Sequence, residues 1–352
     1  SRPLETIKRA NIVSHQLTQN QVKQKFSAAS RALAKMPTRT VLLFPLLLLF
    51  LALFAHTIHS HSHAHPNPFG FIKDLEGSKK GQKVYGLPQL KNYLAKFGYL
   101  QGHALSNDEA NLASSEHDDL FDENLESAIK TYQLNHRLPV TGYLDSETVK
   151  QMMKPRCGHP DIINGTNTMH RPHLPYKSRK SIYGASLYAF TGGTWPSSEY
   201  QLTYRYLSET AVPGTENMAA VLDDALQKWA QVSPFTFEAV SEGSESNLVF
   251  AFYEGDHGDG EPFDGPGGIL GHSFSPTDGR SHFDGDEKWS ENPGPDETDL
   301  PSVVLHEIGH LLGLAHTSDP SAVMYPSIGP GMEKRALQED DIQGIQALYG
   351  ST

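Results

Sequence analysis

The segment HEIGHLLGLAH carries the residues whose types and spacing predict metal chemistry. His306 and His310 are four residues apart, so on a helix they share one face and can bind one metal ion. Glu307 follows the first histidine and would stand beside that ion, placed to handle protons. Gly313 allows a left-handed turn out of the helix, which would bring His316 back to the same ion. Three neutral imidazoles leave the fourth position of a tetrahedral zinc open, as in catalytic sites.

One cysteine and an acidic charge balance limit the classes of protein that the sequence allows. The chain has 352 residues, enough for two ordinary domains. Cys157 is the only cysteine, so no intramolecular disulfide holds the fold together. Residues 1–60 carry eight basic side chains and one acidic one, so residues 61–352 have a net charge of −19, against −12 for the whole chain. This charge argues against nucleic-acid binding and suits loops that hold cations, although a merely solvated surface explains most of it.

The segment around Cys157, PRCGHPDIIN, predicts a latch for the metal site. Proline and glycine on both sides of the cysteine favour an extended, rigid segment over a helix. A thiolate binds zinc well, and a catalytic zinc lacks one protein ligand, so Cys157 is able to fill the open position and exclude water. Arg156 is placed to pair with a carboxylate and fix the segment across the cleft. The alternative is a buried, inert thiol, which is the usual state of a cysteine.

The first part of the chain predicts secretion. Residues 1–35 are polar and lack convincing periodicity, and we interpret them as upstream sequence read in frame before a start at Met36. A short basic segment then leads into an apolar run from Val41 to Ala55, which is typical of a secretory signal peptide over residues 36–62. The run is short for a membrane span, and a signal anchor is the alternative. We therefore expect a secreted, extracellular protein of the cell wall or matrix space, without a membrane span in its mature form.

Residues 66–157 have the pattern of a small bundle of three helices. Apolar residues recur at helical spacing over Pro88–Phe97 and Phe121–Leu134, and a third, short helix starts after Asp145 and runs to Met153. The segment AIKTYQLNHRLPVTGYLDSETVKQM resembles the peptidoglycan-binding-like module, in which a helix leads through a G-x-L-D-x-x-T turn into another helix.

Residues 158–187 form a polar, basic connector that we expect to be sensitive to proteases. Asn164, in the tripeptide Asn-Gly-Thr, is its glycosylation acceptor. From residue 188 to 352 the pattern changes to strands and longer helices. Alternation and aromatic content predict strands over Gln201–Leu207, Phe235–Val240 and Asn247–Tyr253. Helical periodicity predicts helices over Glu216–Val232 and Leu337–Tyr349.

The loop stretch 257–289 holds a second cluster of metal-ligating residue types. Three imidazoles and a carboxylate without an obvious free base suit a closed structural zinc, with the ligands His257, Asp259, His272 and His282. Several oxygens in a flexible loop suit calcium, and the candidates are Asp264, Asp284 and Glu287 with carbonyls of the Gly265–Ile269 turn. A solvated acidic loop is the alternative for this stretch.

Together, the zinc motif, the PRCGHPD segment, the HGD…PFDGP…GH…HFD…E loop and the VMYP turn resemble the matrixins, the matrix metalloproteinase family. The short layout resembles the plant-type secreted members with a propeptide, and the likeness spans about residues 69–350. It implies an α+β metzincin fold, with a twisted five-strand sheet and three helices, preceded by a small all-α propeptide. It also implies a latent, zinc-dependent endopeptidase that cleaves extracellular proteins and holds two zinc ions and at least one calcium ion.

The resemblance implies a role for each candidate residue. The catalytic site comprises the zinc ligands His306, His310 and His316, the general base Glu307, and Cys157 as the zinc ligand of the latent form. The structural zinc is bound by His257, Asp259, His272 and His282. The calcium site comprises Asp264, Gly265, Gly267, Ile269, Asp284 and Glu287. Met324 lies in the turn beneath the zinc. Of the closing-helix aspartates Asp340 and Asp341, one supports that turn and the other pairs with a newly freed N-terminus near Tyr188–Phe190.

The sequence departs from the family pattern in three places. Gly271 stands where alanine is common, although its role there is through the backbone carbonyl. Only nine residues separate His272 from His282, where many members have a longer, glycine-rich loop that supplies a second calcium site. His159 is unusual in the cysteine segment and is a candidate for an extra ligand. The expected partners are protein or peptide substrates and endogenous protease inhibitors, and the expected state is a monomer.

Two functions of other classes stay open on the sequence alone. One is a zinc cell-wall hydrolase targeted by the helical module, which would leave the PRCGHPD segment without a function. A peptidoglycan pull-down would distinguish such a hydrolase from a protease. A non-catalytic secreted binding protein that keeps the zinc fold is disfavoured by the intact Glu307.

Overall fold

The structure is a computed structural model whose described residues all lie in one unit of the chain, Ala64–Thr352. The described residues are 67–100, 119–169, 187–207, 211–241 and 243–351. The predicted signal segment 36–62 lies outside them, as do the residues before it and most of the basic connector. Among the residues described, no helix is long and apolar enough to cross a membrane.

The N-terminal part of the described chain is the predicted bundle of helices. After a 3-10 turn at Gly70–Leu75, α1 spans Leu87–Lys96, α2 spans Glu123–Asn135 and α3 spans Ser146–Met152. α2 and α3 each start at an aspartate whose carboxylate accepts a hydrogen bond from a backbone N–H of the first turn, as expected for Asp145. Their apolar faces meet in one buried core.

The C-terminal part is built on a six-stranded mixed sheet. In chain order the strands are β1 (Arg156–Cys157), β2 (Gln201–Leu207), β3 (Thr236–Ala239), β4 (Leu248–Tyr253), β5 (Ile269–Ser273) and β6 (Arg280–Asp284). In space the order is β1–β5–β6–β4–β2–β3, and β5 and β6 are the antiparallel neighbours in an otherwise parallel sheet. The α+β fold class is confirmed.

The sheet differs from expectation at the edge that carries β1 and β5. Five strands come from the C-terminal part, and β1, from the cysteine segment, adds a sixth beside β5. β5 and β6 lie inside the stretch 257–289, which the sequence analysis treated as loop. Together the two strands are rich in glycine, histidine and aspartate and poor in the aromatic and β-branched residues that usually mark a strand. All five residues of β5 are nevertheless buried. Strand character here comes from tertiary burial rather than from local propensity.

Three helices accompany the sheet, as expected: α4 (Met218–Ala230), α5 (Leu300–Leu311) and α6 (Glu339–Tyr349). α4 packs on α5, and the indole of Trp229 donates a hydrogen bond of 3.0 Å to the carbonyl of Leu305. This buried packing makes α5 a rigid platform for the residues it carries.

A short hairpin follows β1 in the chain. Ile162–Ile163 pairs with Thr166–Asn167, and Asn164 and Gly165 form the turn with positive φ angles of 50° and 76°. The side chain of Asn164 is exposed, so the predicted glycosylation acceptor lies at the surface.

The start of α6 ties this helix to the turn that contains Met324. Asp341 is 1% exposed, and its carboxylate accepts hydrogen bonds from the backbone N–H groups of Val323 (2.9 Å), Met324 (3.0 Å) and Gln338 (2.8 Å). Asp341 is therefore the closing-helix aspartate that holds the turn, and Asp340 is left for the other role.

We predict that Asp341→Ala lowers the free energy of unfolding by at least about 2 kcal/mol, because three buried N–H groups lose their acceptor. Urea denaturation of the zinc-loaded protein measures the change. Glu339→Ala, an exposed change in the same helical turn, is the control and should cost less than about 1 kcal/mol. Equal losses in the two variants would contradict this role for Asp341.

Candidate functional site

α5 and the chain after it bring three histidines to one point. His306 and His310 are one turn apart on α5, and Gly313, with φ of +93°, turns the chain back so that His316 returns to them. A Cβ at Gly313 would lie 2.6 Å from the carbonyl oxygen of Gly193, so this turn needs glycine. The Nε2 atom of His310 lies 3.1 Å from that of His306 and 3.2 Å from that of His316.

The hydrogen bonds of the three imidazoles fix their tautomers. Backbone carbonyls of Val323 and Leu314 lie 2.7 Å from the Nδ1 atoms of the first and second histidines. The carboxylate of Asp161 lies 2.7 Å from Nδ1 of the third. These oxygens act as acceptors, so each Nδ1 carries the hydrogen and each Nε2 keeps its lone pair. Burial lowers the pKa of all three histidines, which keeps them neutral.

This arrangement fits a zinc ion. The three Nε2 atoms carry no hydrogen, so they cannot form hydrogen bonds with one another although they lie 3.1–3.2 Å apart. A cation between them would satisfy all three lone pairs. The Sγ atom of Cys157 completes the set, and the four ligand atoms lie within 4.8 Å of one another. Three imidazoles and one thiolate are ligands that zinc accepts in a tetrahedral site.

β1 presents Cys157 to the histidines. Its Sγ atom lies 3.4 Å from Nε2 of His310, and the residue is 4% exposed. The backbone N–H of Cys157 donates to the carbonyl of Pro326, and that of Gly158 donates to the carbonyl of Gly271. The segment therefore spans from β5 to the chain beyond the Met324 turn. Burial, together with the nearby Glu307 carboxylate, raises the pKa of the Cys157 thiol, so a thiolate here depends on a cation.

Glu307 lies beside the three histidines, and only one of its two carboxylate oxygens is hydrogen-bonded to a described residue. Its Oε2 atom accepts a hydrogen bond of 2.8 Å from the hydroxyl of Ser273. Its Oε1 atom is buried and makes no hydrogen bond with the residues described. Burial raises the pKa of this carboxyl to about 7, which suits a group that must both take and give a proton near neutral pH.

Met324 packs directly beneath the histidine helix. A Cβ at Gly309 would lie 2.3 Å from the sulfur of Met324, so the glycine of the HEIGH sequence allows this close approach. A small cavity of about 20 Å³ lies beside Glu307, between α5 and this turn. Its apolar lining includes Leu270, Val303, Val323, Tyr325 and Ile328.

The second predicted cluster also forms. Oδ2 of Asp259 lies 2.8 Å from Nε2 of His257, Nε2 of His272 and Nδ1 of His282. The Nδ1 atom of His257 lies 3.0 Å from the carbonyl oxygen of Gly255, so its Nε2 is the ligand atom. All four side chains are largely buried and supply four ligand atoms, which fits a closed zinc site.

The predicted calcium residues form an acidic cluster in which Asp284 and Glu287 are buried and Asp264 is exposed. The carboxylates of Asp264, Asp284 and Glu287 accept hydrogen bonds from the backbone N–H groups of Ile269, Gly265 and Gly267 respectively. These hydrogen bonds link the six predicted residues in three pairs. Burial, reinforced by mutual repulsion, raises the pKa of Asp284 and of Glu287 to about 7. A divalent cation with oxygen ligands fits the two buried carboxylates of Asp284 and Glu287 beside Asp264.

Asp161 is the site residue that the sequence analysis missed. Its Oδ1 atom lies 2.8 Å from Nη2 of Arg156 as well as 2.7 Å from Nδ1 of His316. Arg156 was expected to pair with a carboxylate, and the carboxylate is five residues further along the same segment. His159 stacks on the ring of His310 at 4.4 Å and is not among the four converging ligands.

The chain resembles known proteins over both of its parts. Residues 194–350 match the family profile described as Matrixin, and residues 85–152 match the profile described as Putative peptidoglycan binding domain. Over 287 residues, the chain is 40% identical to Metalloendoproteinase 5-MMP of Arabidopsis thaliana, covering 78% of this chain and 74% of that protein. Metalloendoproteinase 1 of Glycine max is 43% identical over 279 residues, with 77% and 84% covered. Interstitial collagenase of Sus scrofa is 39% identical over 226 residues, with 63% and 42% covered.

The acidic cluster predicts that a rise in pH lowers the stability of the calcium-free protein and increases the stabilisation that calcium provides. The pKa values of the Asp284 and Glu287 carboxyls are raised to about 7 in the folded protein. Between about pH 4 and about pH 7 the folded protein therefore keeps protons on these two groups that the unfolded chain has already released. The free energy of unfolding of the calcium-free protein should therefore fall as pH rises from about 4 to about 7. Added calcium should raise the melting temperature more at pH 8 than at pH 5, since protons compete with the ion.

Differential scanning calorimetry with zinc held saturating tests this behaviour. Asp284→Asn should abolish most of the calcium response, and Asp286→Asn, an exposed neighbour, should retain it. A full calcium response in Asp284→Asn would contradict the site.

Proposed function

We propose that this chain, which belongs to the matrixin family and is a metalloendopeptidase, is made as a latent zymogen with Cys157 as the fourth ligand of its catalytic zinc. The observation that carries the proposal is the position of its Sγ atom, 3.4 Å from Nε2 of His310 and within the group of converging ligand atoms. A thiolate at that position excludes water from the ion. Removal of the segment opens the position.

The residues at the site support hydrolysis with Glu307 as general base. His306, His310 and His316 would hold a zinc ion, which would act as a Lewis acid and lower the pKa of a bound water molecule. Ser273 holds Oε2 of Glu307, so Oε1 is the oxygen that takes a proton from the attacking water. Glu307 then gives the proton to the leaving amine. Its raised pKa, about 7, suits both transfers.

The position of β1 marks the substrate cleft. The N–H of Arg156 donates to the carbonyl of Gly268, and the N–H of Ile328 donates to the carbonyl of Pro155, so the segment is bonded on both sides. Once it leaves, the edge of β5 is free to bind an extended substrate by backbone hydrogen bonds. The apolar residues that line the small cavity beside Glu307 would then form one wall of a site for a substrate side chain.

We propose that activation ends with a new N-terminus at Asp340. Its Oδ1 atom already accepts hydrogen bonds from the N–H groups of Leu187 (2.8 Å) and Tyr188 (3.1 Å). Its Oδ2 atom is buried and has no hydrogen-bond partner among the residues described. Cleavage before Leu187 or Tyr188 would give this oxygen an ammonium group.

The rest of the proposal concerns the setting of the enzyme. A signal peptide over residues 36–62 directs it to the extracellular space, and Asn164, at an exposed turn, carries a glycan. The second histidine cluster holds a structural zinc and the acidic cluster holds calcium. The mature enzyme acts as a monomer on extracellular proteins and is open to endogenous inhibitors.

The helical module favours latency over wall binding. Its core continues into Phe263 and Ile269 of the C-terminal part. His136 at the end of α2 lies 2.9 Å from the hydroxyl of Tyr325, and Gln151 of α3 donates to Ser327 at 2.8 Å. A module docked on the cleft in this way blocks the site instead of extending away to target a surface.

We predict that Glu307→Ala keeps both zinc ions and loses turnover by about 10²–10⁴-fold, because it removes the proton carrier and no ligand. The test is cleavage of a quenched peptide with a bulky apolar residue after the scissile bond, with zinc content measured in parallel. Ser273→Ala, which removes only the neighbouring hydroxyl, should lose far less. Full activity in Glu307→Ala would refute this assignment.

We also predict that Cys157→Ser makes the proform, residues 66–352, active before any processing. Losing the thiolate opens the fourth zinc position to water while the propeptide is still attached. Peptide cleavage that a zinc chelator abolishes is the measurement, and Cys157→Ser with Glu307→Ala is the inactive control. A folded, zinc-loaded Cys157→Ser proform without activity would rule out the latch.

A further inference from the structure

The imidazoles of the three proposed zinc ligands differ in the group that accepts the hydrogen bond from Nδ1. His306 and His310 are held at Nδ1 by backbone carbonyls of their own domain. His316 is held by the carboxylate of Asp161, which lies 155 residues earlier in the propeptide-side segment. Cleavage before Leu187 or Tyr188 breaks the covalent link between Asp161 and His316, whereas the other two supports stay in place.

Asp161 is itself fixed in that segment. The residue is fully buried, and its Oδ2 atom accepts a hydrogen bond of 2.8 Å from the hydroxyl of Tyr99. Its Oδ1 atom lies 2.8 Å from Nη2 of Arg156, whose guanidinium carbon sits 3.5 Å from the ring centroid of Phe97. These partners hold the carboxylate in one orientation, with the oxygen that faces His316 already placed.

We propose that Asp161 is a positioning residue for the zinc ligand His316, so that the propeptide helps to retain the catalytic zinc as well as to block it. This inference rests on the proposed three-histidine zinc site. A carboxylate that accepts the Nδ1 hydrogen of a ligating histidine orients the ring and makes its Nε2 a better donor. Loss of such a partner typically weakens metal binding by about 10–100-fold.

Two consequences follow from this contact. The latent form holds its catalytic zinc more tightly than the mature form does, even when the contribution of the thiolate is set aside. By thermodynamic linkage, zinc must strengthen docking of the propeptide by the same factor. Activation therefore yields an enzyme that depends more strongly on the free zinc around it.

The experiment uses the proform, residues 66–352, carrying Cys157→Ala and Glu307→Ala. The first change removes the thiolate ligand, and the second prevents self-cleavage. Zinc transfer to a chromophoric chelator is followed with time, and the phase that disappears in a His316→Ala variant is assigned to the three-histidine site. Absence of any such phase would mean that the zinc proposal itself fails.

In this background, Asp161→Asn should accelerate the assigned phase by about 10–100-fold. Tyr99→Phe is the matched control, because it removes a hydrogen bond from the other oxygen of Asp161 and should change the rate less than about 3-fold. The proton NMR signal of the His316 Nδ1–H should move in Asp161→Asn and stay near its position in Tyr99→Phe. An unchanged rate in Asp161→Asn, or equal acceleration in both variants, would overturn the inference.

A second measurement requires no change at Asp161. The same background protein is cut in the connector by an added protease, and the propeptide is removed by gel filtration. The assigned phase should be about 10–100-fold faster in the cut protein than in the intact one. Equal rates in the intact and cut forms would overturn the inference, whether or not the Asp161 variant folds.

Discussion

The structure depends on holding three imidazoles neutral, with their Nε2 lone pairs turned to one point. Each ring can do this only if an acceptor engages its Nδ1 hydrogen, and the three acceptors come from different parts of the chain. The carbonyl of Val323 lies in the turn that Asp341 of α6 supports, and the carbonyl of Leu314 follows the glycine turn after α5. The closing helix and the turn beneath α5 are therefore parts of the metal site, although neither supplies a ligand.

The helical module and the C-terminal part share their packing, so the latency proposed above would depend on both parts of the described fold. Phe263 and Ile269 of the catalytic part belong to the same buried core as the helices of the module. β1 pairs with β5 in the main sheet, and Arg156 and Asp161 are buried at the junction. The thiol reaches the histidines because this larger surface holds its segment in place.

Much of the site could be predicted from the sequence because most of its candidate ligands lie close to one another along the chain. The ligands of the catalytic cluster lie within one helix and the turn after it, and Cys157 is marked by the prolines and glycine around it. The contact between Asp161 and His316 could not be predicted, since it joins residues 155 positions apart through tertiary packing. β5 and β6 were missed for a related reason: burial in the sheet, rather than their glycine- and histidine-rich sequences, makes them strands. Helix positions were predicted to within about two residues at each end, because their periodicity and caps are local.

The pairing of β1 with β5 has a consequence for how the protein can be stored and handled. While β1 is present, the carbonyls of Gly268 and Gly271 accept hydrogen bonds from it, and the apolar side chain of Ile269 is covered. Release of the propeptide turns β5 into an open edge, and open edges pair readily with other chains, including copies of the same protein. If activation proceeds as proposed, aggregation should therefore increase after it, and more steeply at higher enzyme concentration. The proform is the species suited to accumulation, and the mature form is best kept dilute or occupied by substrate.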